Sequence, residues 1–273
     1  MLAKNTFRRL GMKIQRLSTS TFKFHSPSGK VVVVDPWLTN DPFWPLSERS
    51  PDKLKEIDVI AITHAHFDHV SGISEIVQQN KKVVVIAQFE YALSLPPRGI
   101  TNVIPTAFGA TVDFQGIKFS LVPASHTNSE MLPDGKIEVV GTAAGYVIEF
   151  EDGHKVYMSG DTGLTADMKF VVGDYHKPHI SILPVIGFLM MEPEQAAYAA
   201  NMTGCSHVIP FHDFPRNVSD AADPEGYREF LKQFPVQDTY KKADRFMEII
   251  EKEYPHIKGT YIPIGGTVEI ELA

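Results

Sequence analysis

Residues 63–69 read THAHFDH, which places three imidazoles and a carboxylate within seven positions. Such side chains bind divalent metal ions at about 2.0–2.2 Å. The apolar run 57–62 before them is typical of a buried strand, on which the first two histidines would share one face. The aspartate and the third histidine follow at another phase and could hold a second ion. The candidate ligands are His64, His66, Asp68 and His69. A solvated polar loop is the alternative, but it does not explain the apolar strand that leads into the cluster.

Three more ligand-type residues each stand just past an apolar run that predicts a strand. They are His126 after 117–122, Asp161 after 155–158 and His212 after 208–211. In α/β proteins sites form at the carboxyl ends of strands, so we expect these residues to meet 63–69. Taken singly, each has a structural alternative, namely a satisfied buried histidine, an Asx-type turn residue and a surface loop residue.

The composition bounds the class of protein. Of 273 residues, 43% are hydrophobic and 22% charged, which is typical of a globular protein with a sizeable core. Strands dominate the first half. They are predicted over 13–17, 22–24, 31–34, 57–62, 83–86, 111–114, 117–122, 144–150 and 155–158, and later over 208–211 and 267–272. Helices are predicted over 71–79, 89–95, 193–202, 225–234 and 240–253. No Pro- or Ser-rich linker divides the chain, so we expect one α/β domain over 1–273, with 1–11 as a loose extension.

Charge and hydropathy exclude some roles. The formal net charge is −7 and no run of Lys and Arg stands out, which argues against coating nucleic acid. No apolar run approaches the roughly 20 residues that span a bilayer, and no signal-peptide pattern occurs. We therefore expect no membrane partner and a cytoplasmic location. Cys205 is the only cysteine, which rules out a thiolate cage for a metal.

Together these motifs resemble those of the metallo-β-lactamase superfamily. The HxHxDH motif stands at 64–69, and the later motifs match His126, Asp161 within Ser-Gly-Asp-Thr-Gly, and His212. Segments 34–38, 183–187 and 191–196 are similar to a branch of metal-dependent hydrolases related to L-ascorbate-6-phosphate lactonase. Two segments depart from that branch, 18–21 and 213–217. Both would lie near a substrate pocket, so the substrates of the branch are not transferred.

The resemblance implies a four-layer αββα sandwich, in the α/β (α+β) class, with two divalent ions at one edge. It assigns His64, His66 and His126 to the first ion, Asp68, His69 and His212 to the second, and Asp161 to both. A ligand set without thiolate fits zinc first, with manganese or iron as alternatives. Related hydrolases often form homo-oligomers, so an oligomer is also expected.

The implied chemistry is hydrolysis. Two ions about 3.5–4 Å apart can hold a hydroxide that attacks a carbonyl carbon or phosphorus near pH 7. Asp68 would ligate one ion, orient the water and pass a proton to the leaving group. Asp35 is a candidate acceptor for the second ring N–H of a ligand histidine; a turn residue before Pro36 is the alternative.

Three residues are candidates for substrate contact. Trp44 and the apolar loop 188–190, including Phe188, would wall the pocket, although core packing or a subunit contact is the competing interpretation for that loop. Arg216 could anchor a phosphate or carboxylate, or could simply be a surface arginine. We expect hydrolysis of a small, anionic metabolite with a lactone or ester bond. A phosphodiesterase or nuclease on the same centre and a non-catalytic metal-binding subunit are the alternatives.

Overall fold

The computed structural model describes residues 11–132, 134–234, 236 and 238–271. Residues 1–10 of the expected N-terminal extension lie outside the described residues. Two seven-stranded sheets form the centre of the molecule. The first sheet contains, in spatial order, β16 (Thr267–Ile270), β1 (Met12–Arg16), β2 (Phe22–His25), β3 (Val31–Val34), β4 (Val59–Ile62), β5 (Val84–Gln88) and β6 (Val103–Thr106). Strands β3 to β6 run parallel.

The second sheet has a similar mixture of parallel and antiparallel pairs. It contains, in spatial order, β15 (Lys258–Gly259), β14 (His207–Phe211), β13 (Ile180–Pro184), β12 (Lys155–Met158), β11 (Ala144–Glu149), β8 (Ile117–Pro123) and β7 (Thr111–Phe114). Strands β12 to β15 are parallel, and β11 is antiparallel to both β12 and β8. A separate hairpin pairs β9 (Ser129–Met131) with β10 (Ile137–Val139).

Helices cover the outer face of each sheet. They are α1 (Pro51–Lys55), α2 (Phe67–Val70), α3 (Ile73–Gln79), α4 (Phe89–Ser94), α5 (Pro193–Thr203), α6 (Pro224–Gln233) and α7 (Thr239–Glu253), with 3-10 turns at Leu46–Glu48, Pro96–Arg98 and Val218–Asp220 and a π-helix at Met168–His176. None of the helices in the described part of the chain combines the length and the apolar character that a bilayer crossing requires.

Strand β3 illustrates how the layers arise. All four of its valines are buried, and side chains alternate between the two faces of a strand. Val32 and Val34 join the core between the two sheets, whereas Val31 and Val33 pack under the helices. Strand β12 alternates in the same way in the second sheet. Tyr157 packs under α5 and α7, whereas Val156 and Met158 join the core between the two sheets. The predicted αββα sandwich is therefore confirmed.

The helices and strands that the sequence predicted are present in the structure, but several of them begin or end at other residues. The helix expected over 71–79 begins at Ile73 as α3, and Gly72 separates it from the short helix α2, which covers part of the histidine motif. A Cβ on Gly72 would lie 2.8 Å from the Pro36 carbonyl oxygen, so only glycine permits this close approach. Strands β6, β13 and β15 and the β9–β10 hairpin were not predicted. The final strand, expected to reach residue 272, ends at Ile270, and Leu272 lies outside the described residues.

Candidate metal centre

Four strand ends meet at one edge of the sandwich. Strand β4 leads into 64–69, β8 into His126, β12 into Asp161 and β14 into His212. Strands β8 and β12 both pair antiparallel with β11, so they point the same way as each other and as β14. The structure thus brings together all seven residues that the sequence proposed as ligands.

The first group of ligand atoms belongs to His64, His66 and His126. His64 Nε2 lies 3.0 Å from His66 Nδ1, and His126 Nε2 lies 3.8 Å from Asp161 Oδ2. The expectation that the first two histidines stand on a strand is wrong, because β4 ends at Ile62 and both follow in a loop. They converge because the loop turns into α2 directly after His66.

The second group belongs to Asp68, His69 and His212. His212 Nε2 lies 3.3 Å from Asp68 Oδ2 and 3.3 Å from Asp161 Oδ2. His69 Nε2 is 3.6 Å from Asp68 Oδ2 and 3.5 Å from Asp161 Oδ2. Two atoms that bind one ion tetrahedrally at about 2.0–2.1 Å stand about 3.3 Å apart. These spacings therefore suit a common ion.

Several of the inward-facing atoms have no hydrogen-bond partner among the described residues. They are His69 Nε2, Asp161 Oδ1 and His212 Nε2. Buried polar atoms without partners are costly, and native proteins nearly always satisfy them. Cations on these atoms would remove that cost. Five imidazoles and two carboxylates are also the donors that zinc, manganese and iron accept, so the residues fit a metal centre.

Asp35 fixes the orientation of the histidine loop. Its Oδ2 lies 2.9 Å from His69 Nδ1 and accepts the Thr63 hydroxyl at 2.6 Å, while its Oδ1 accepts the Thr63 backbone N–H at 2.8 Å. His69 Nε2 is consequently left facing Asp161. A carboxylate behind a ligand histidine sets the ring orientation and raises ligand basicity.

Arg16 secures the His212 segment and was not recognised in the sequence. It is fully buried, its Nη1 lies 2.8 Å from Asp213 Oδ1, and it donates to the Thr19 carbonyl at 3.2 Å. That carbonyl also accepts the His212 backbone N–H at 3.0 Å. The only local signal was a charged residue at the end of β1, on the alternating face that it shares with Met12 and Ile14.

The backbone is strained where the site residues leave their strands. Asp35 has φ 53° and His212 has φ 72°, both in the left-handed region that side chains disfavour. Such outliers cluster at functional sites. Gly160 has φ 60°, and a Cβ there would meet Thr63 Cβ at 2.7 Å. Glycine at 160 therefore lets the Asp161 turn approach the histidine loop.

Burial and mutual charge shift the pKa values in the site. Burial lowers the pKa of His69, but the charges of Asp161, Asp68 and Asp35 outweigh it and raise the pKa well above its ordinary value. For His64, burial and the neighbouring His69 hold the pKa well below its ordinary value. Burial raises the pKa of Asp161, but His212 and His69 outweigh it and bring the pKa well below its usual range.

A cavity of about 270 Å³ opens onto this centre. The site residues at its base are His66, Asp68, His126, Asp161 and His212. The remaining lining is almost entirely apolar, and it includes Phe188 and its loop neighbours Leu189 and Met190. The β9–β10 hairpin and α6, which the sequence did not connect to the site, supply further walls.

Two of the expected substrate contacts lie elsewhere. Trp44 is 1% exposed and packs in the core under the helices of the first sheet, so it does not line this cavity. Arg216 pairs with Asp244 at 3.0 Å and lies over the Tyr240 ring at 4.7 Å, outside the cavity. The expected anchor for an anionic substrate is thus not at the site, because the chain turns away after Phe214.

The family model for the beta-lactamase superfamily domain matches residues 30–212. A protein of Rubrobacter xylanophilus named UPF0173 metal-dependent hydrolase is 35% identical over 205 residues, covering 74% of this chain and 81% of the relative. A protein of the same name from Methanosphaera stadtmanae is 37% identical over 202 residues, covering 74% of this chain and 83% of the relative.

Solved structures show the same architecture. Igni18, a metallo hydrolase from the archaeon Ignicoccus hospitalis, is 26% identical with a TM-score of 0.74, and the match covers 96% of this chain and 99% of Igni18. An isothiocyanate hydrolase from Delia radicum gut bacteria is 18% identical with a TM-score of 0.64, covering 96% of this chain and 100% of that protein, which shows the fold alone. The lactonase-related branch remains a prediction.

Proposed function

This chain belongs to the beta-lactamase superfamily and is a metal-dependent hydrolase, and from that premise we propose that it cleaves a small ester or lactone at two divalent ions. The observation that carries the proposal is the shared position of Asp161. Its Oδ2 lies 3.3–3.9 Å from ring nitrogens of both ligand groups. A carboxylate between two groups of ligand atoms could contact both of two adjacent ions, and Asp161 also forms a group of its own with His64 and His69.

The proposed ligand roles follow the two groups. His64, His66 and His126 would hold one ion and Asp68, His69 and His212 the other, with Asp161 between them. When bound, the two ions supply Lewis-acid activation of a water molecule and of the acyl oxygen. We propose zinc as the resident metal, because the imidazole-rich donor set suits it and contains no thiolate.

Asp68 is the proposed proton carrier. Its carboxylate is partly exposed and lines the cavity, whereas His64 and His69 lie behind it. Hydrolysis adds water across the acyl C–O bond, so the oxygen goes to the acyl carbon and the proton to the departing alkoxide. A carboxylate beside both the water and the leaving group can take that proton and return it. Ser20 Oγ donates to the Asp68 carbonyl at 2.5 Å and so holds this segment in place.

The experiment that tests the proposal measures metal content and turnover together. The purified protein is analysed for bound metal and assayed on lactones, thioesters, phosphodiesters and amides, before and after chelation. We expect about two ions per chain and chelator-sensitive cleavage of lactones or esters. Asp161→Asn should lose both, while Asp174→Asn, an exposed aspartate on the π-helix, should lose neither.

Other results would change the proposal. One tightly bound ion per chain would contradict the dinuclear centre. Turnover confined to phosphodiesters would replace the ester with a phosphodiester, although the cavity offers little to hold a phosphate. Bound metal without any turnover would favour a non-catalytic subunit.

A further inference from the structure

We infer that the substrate carries an apolar alkyl or aryl acyl group, which lies in the cavity beside the candidate metal centre. This inference deepens the proposed function and rests on it. It replaces the anionic metabolite that the sequence suggested. Three features of the cavity support it: the aromatic walls, the charges of the lining residues and the exposed apolar side chains at the mouth.

Aromatic rings form the largest wall. Phe230 stacks on Phe214 with ring centroids 5.5 Å apart and on Phe234 at 4.8 Å, and Phe234 stacks on Phe67 at 5.8 Å. All four line the cavity. Phe230 also packs against Trp37 at 5.6 Å, which connects the wall to a buried cluster behind it. A ligand that touches these rings exchanges water for hydrocarbon, which is favourable only if the ligand is apolar.

The rest of the lining is apolar too and reaches into solvent. Met131 and Ile137 come from the β9–β10 hairpin, and Ile186 and residues 188–190 from the loop after β13. Phe188 is 90% exposed, Met131 77% and Leu189 61%. Exposed apolar patches that rim a cavity mark binding sites, because they are costly to leave in water.

Phe188 is also held in a strained conformation. Its φ is 61°, next to Gly187 at φ 65°. A bulky residue is disfavoured in the left-handed region. The Gly187 N–H donates to the Met191 carbonyl at 2.8 Å and closes this turn, so the loop holds the ring outward at the cavity mouth.

Charge disfavours an anionic substrate. Among the described residues that line the cavity there is no Lys or Arg, and the two carboxylates present, Asp68 and Asp161, belong to the candidate metal centre. Arg98, near the hairpin, is paired with Glu130 and does not line the cavity. A charged group of the substrate that lay away from the metal centre would be buried in this cavity without a cationic partner. Burying an unpaired charge is costly.

A homologous series of esters tests the inference. The metal-loaded protein is assayed on p-nitrophenyl acetate, butyrate, hexanoate and octanoate, with p-nitrophenyl succinate as an anionic chain of similar length to the butyrate. We expect kcat/KM to rise about two- to fourfold per added methylene and the succinate ester to be at least about tenfold poorer than the butyrate. A flat or falling dependence on chain length, or a preferred succinate, would overturn the inference.

Two exposed phenylalanines provide a matched pair of variants. Phe188→Ser should reduce the octanoate-to-acetate ratio of kcat/KM by about fivefold, since it removes apolar contact from the cavity mouth. Phe170→Ser, at a 67% exposed ring on the π-helix, should leave the ratio unchanged. If Phe188→Ser instead splits an oligomer in size-exclusion chromatography and leaves the ratio unchanged, the loop is a subunit contact and the inference fails.

A binding measurement separates this inference from the proposed function. The protein as purified is titrated with 2-octanone and with 2-butanone, which cannot be hydrolysed, and binding is followed by protein NMR. We expect at least about tenfold tighter binding of 2-octanone, weakened by Phe188→Ser. Ester turnover with equal binding of the two ketones would overturn the inference alone. Tight 2-octanone binding without hydrolysis of any ester would instead overturn the proposed function.

Discussion

Asp161 shows how much a single side chain contributes to the candidate site. Its Oδ2 lies 3.3 Å from His212 Nε2, 3.5 Å from His69 Nε2 and 3.8 Å from His126 Nε2. It is buried, and Oδ1 has no hydrogen-bond partner among the described residues. A buried carboxylate in this position is stabilised only by cations or by charged imidazoles. The residue type and the buried position of Asp161 therefore fit a metal centre.

Asp35 should control metal affinity without touching the metal. Asp35→Asn cannot accept from the Thr63 N–H, the Thr63 hydroxyl and the His69 ring together, because its amide nitrogen is a donor. We expect metal affinity to fall by about 10–100-fold, measured by competition with a chelator, and activity to recover at high metal concentration. If the metal affinity of Asp35→Asn equals that of the reference variant Asp174→Asn, Asp35 does not have this role.

Asp41 should make stability depend on pH. Its carboxylate is buried, and this burial raises its pKa to about 7, although it accepts the backbone N–H groups of Phe43 and Trp44. The unfolded chain releases this proton near pH 4 and the folded protein only near pH 7, so the folded state binds more protons between these values. The contribution of Asp41 to the free energy of unfolding therefore falls as pH rises from about 4 to about 7.

The measurement for Asp41 is urea denaturation of the protein and of Asp41→Asn across pH 4–8. The difference in unfolding free energy between the two should change over that interval, since every other titrating group is common to both. A pH-independent difference would show that Asp41 does not retain a raised pKa.

The candidate site depends on loops that are held in place by buried contacts away from the candidate ligands. The Arg16 guanidinium connects the end of β1 to Asp213 and to the Thr19 and Ile262 carbonyls. Tyr146 on β11 donates to the Ile62 carbonyl at 3.1 Å and so joins the second sheet to the end of β4. These contacts position loops that have little packing of their own.

Arg16 gives the sharpest test at this scale. Arg16→Met leaves the buried Asp213 carboxylate with the Tyr261 hydroxyl, which donates at 2.7 Å, but without its charged partner, and breaking such an ion pair costs about 3–5 kcal/mol. We expect a loss of that size in urea denaturation. The double variant Arg16→Met, Asp213→Leu should recover part of it, because no unpaired charge remains. A double variant whose loss equals the sum of the two single losses would indicate that the pair is not coupled.

The whole molecule couples the two sheets through one core. A single apolar cluster contains Val32 and Val34 of the first sheet together with Ile182, Ile209 and Phe211 of the second. The candidate ligands come from both sheets, so a correctly formed centre requires this core to be assembled. For the same reason we propose that the two sheets fold as one domain.

Metal removal should therefore lower the stability of the whole protein. A ligand that binds only the folded state stabilises it by about 2.7 kcal/mol at 100 times its Kd. We expect chelation to lower Tm by about 5–10 °C, measured by circular dichroism, and zinc to restore it. Asp161→Asn should show no such recovery. Equal Tm values with and without metal would mean that the folded state does not depend on the centre.

The residues by themselves were sufficient to place the candidate ligands just past strand ends and to indicate an α/β fold. An apolar strand followed by a ligand-type residue is a local pattern, and parallel strands bring such ends to the same edge. The resemblance carried by the 64–69 motif added the layers and the ligand groups. A run of β-branched residues, such as the four valines of β3, is also a local signal, so most strands could be predicted from the sequence. Strands β6, β13 and β15 and the β9–β10 hairpin contain no such run and were missed.

Tertiary structure alone decided the character of the cavity. Phe230 and Phe234 lie one helical turn apart on or beside α6, and only packing brings them to residues 186–190 and to the hairpin at 129–139. Likewise, Arg216 is only four residues beyond His212, yet its guanidinium pairs with Asp244 of α7 and not with any group at the site. Ligand identity is a local property of the chain, whereas the polarity of a cavity is the sum of side chains from segments that meet only after folding.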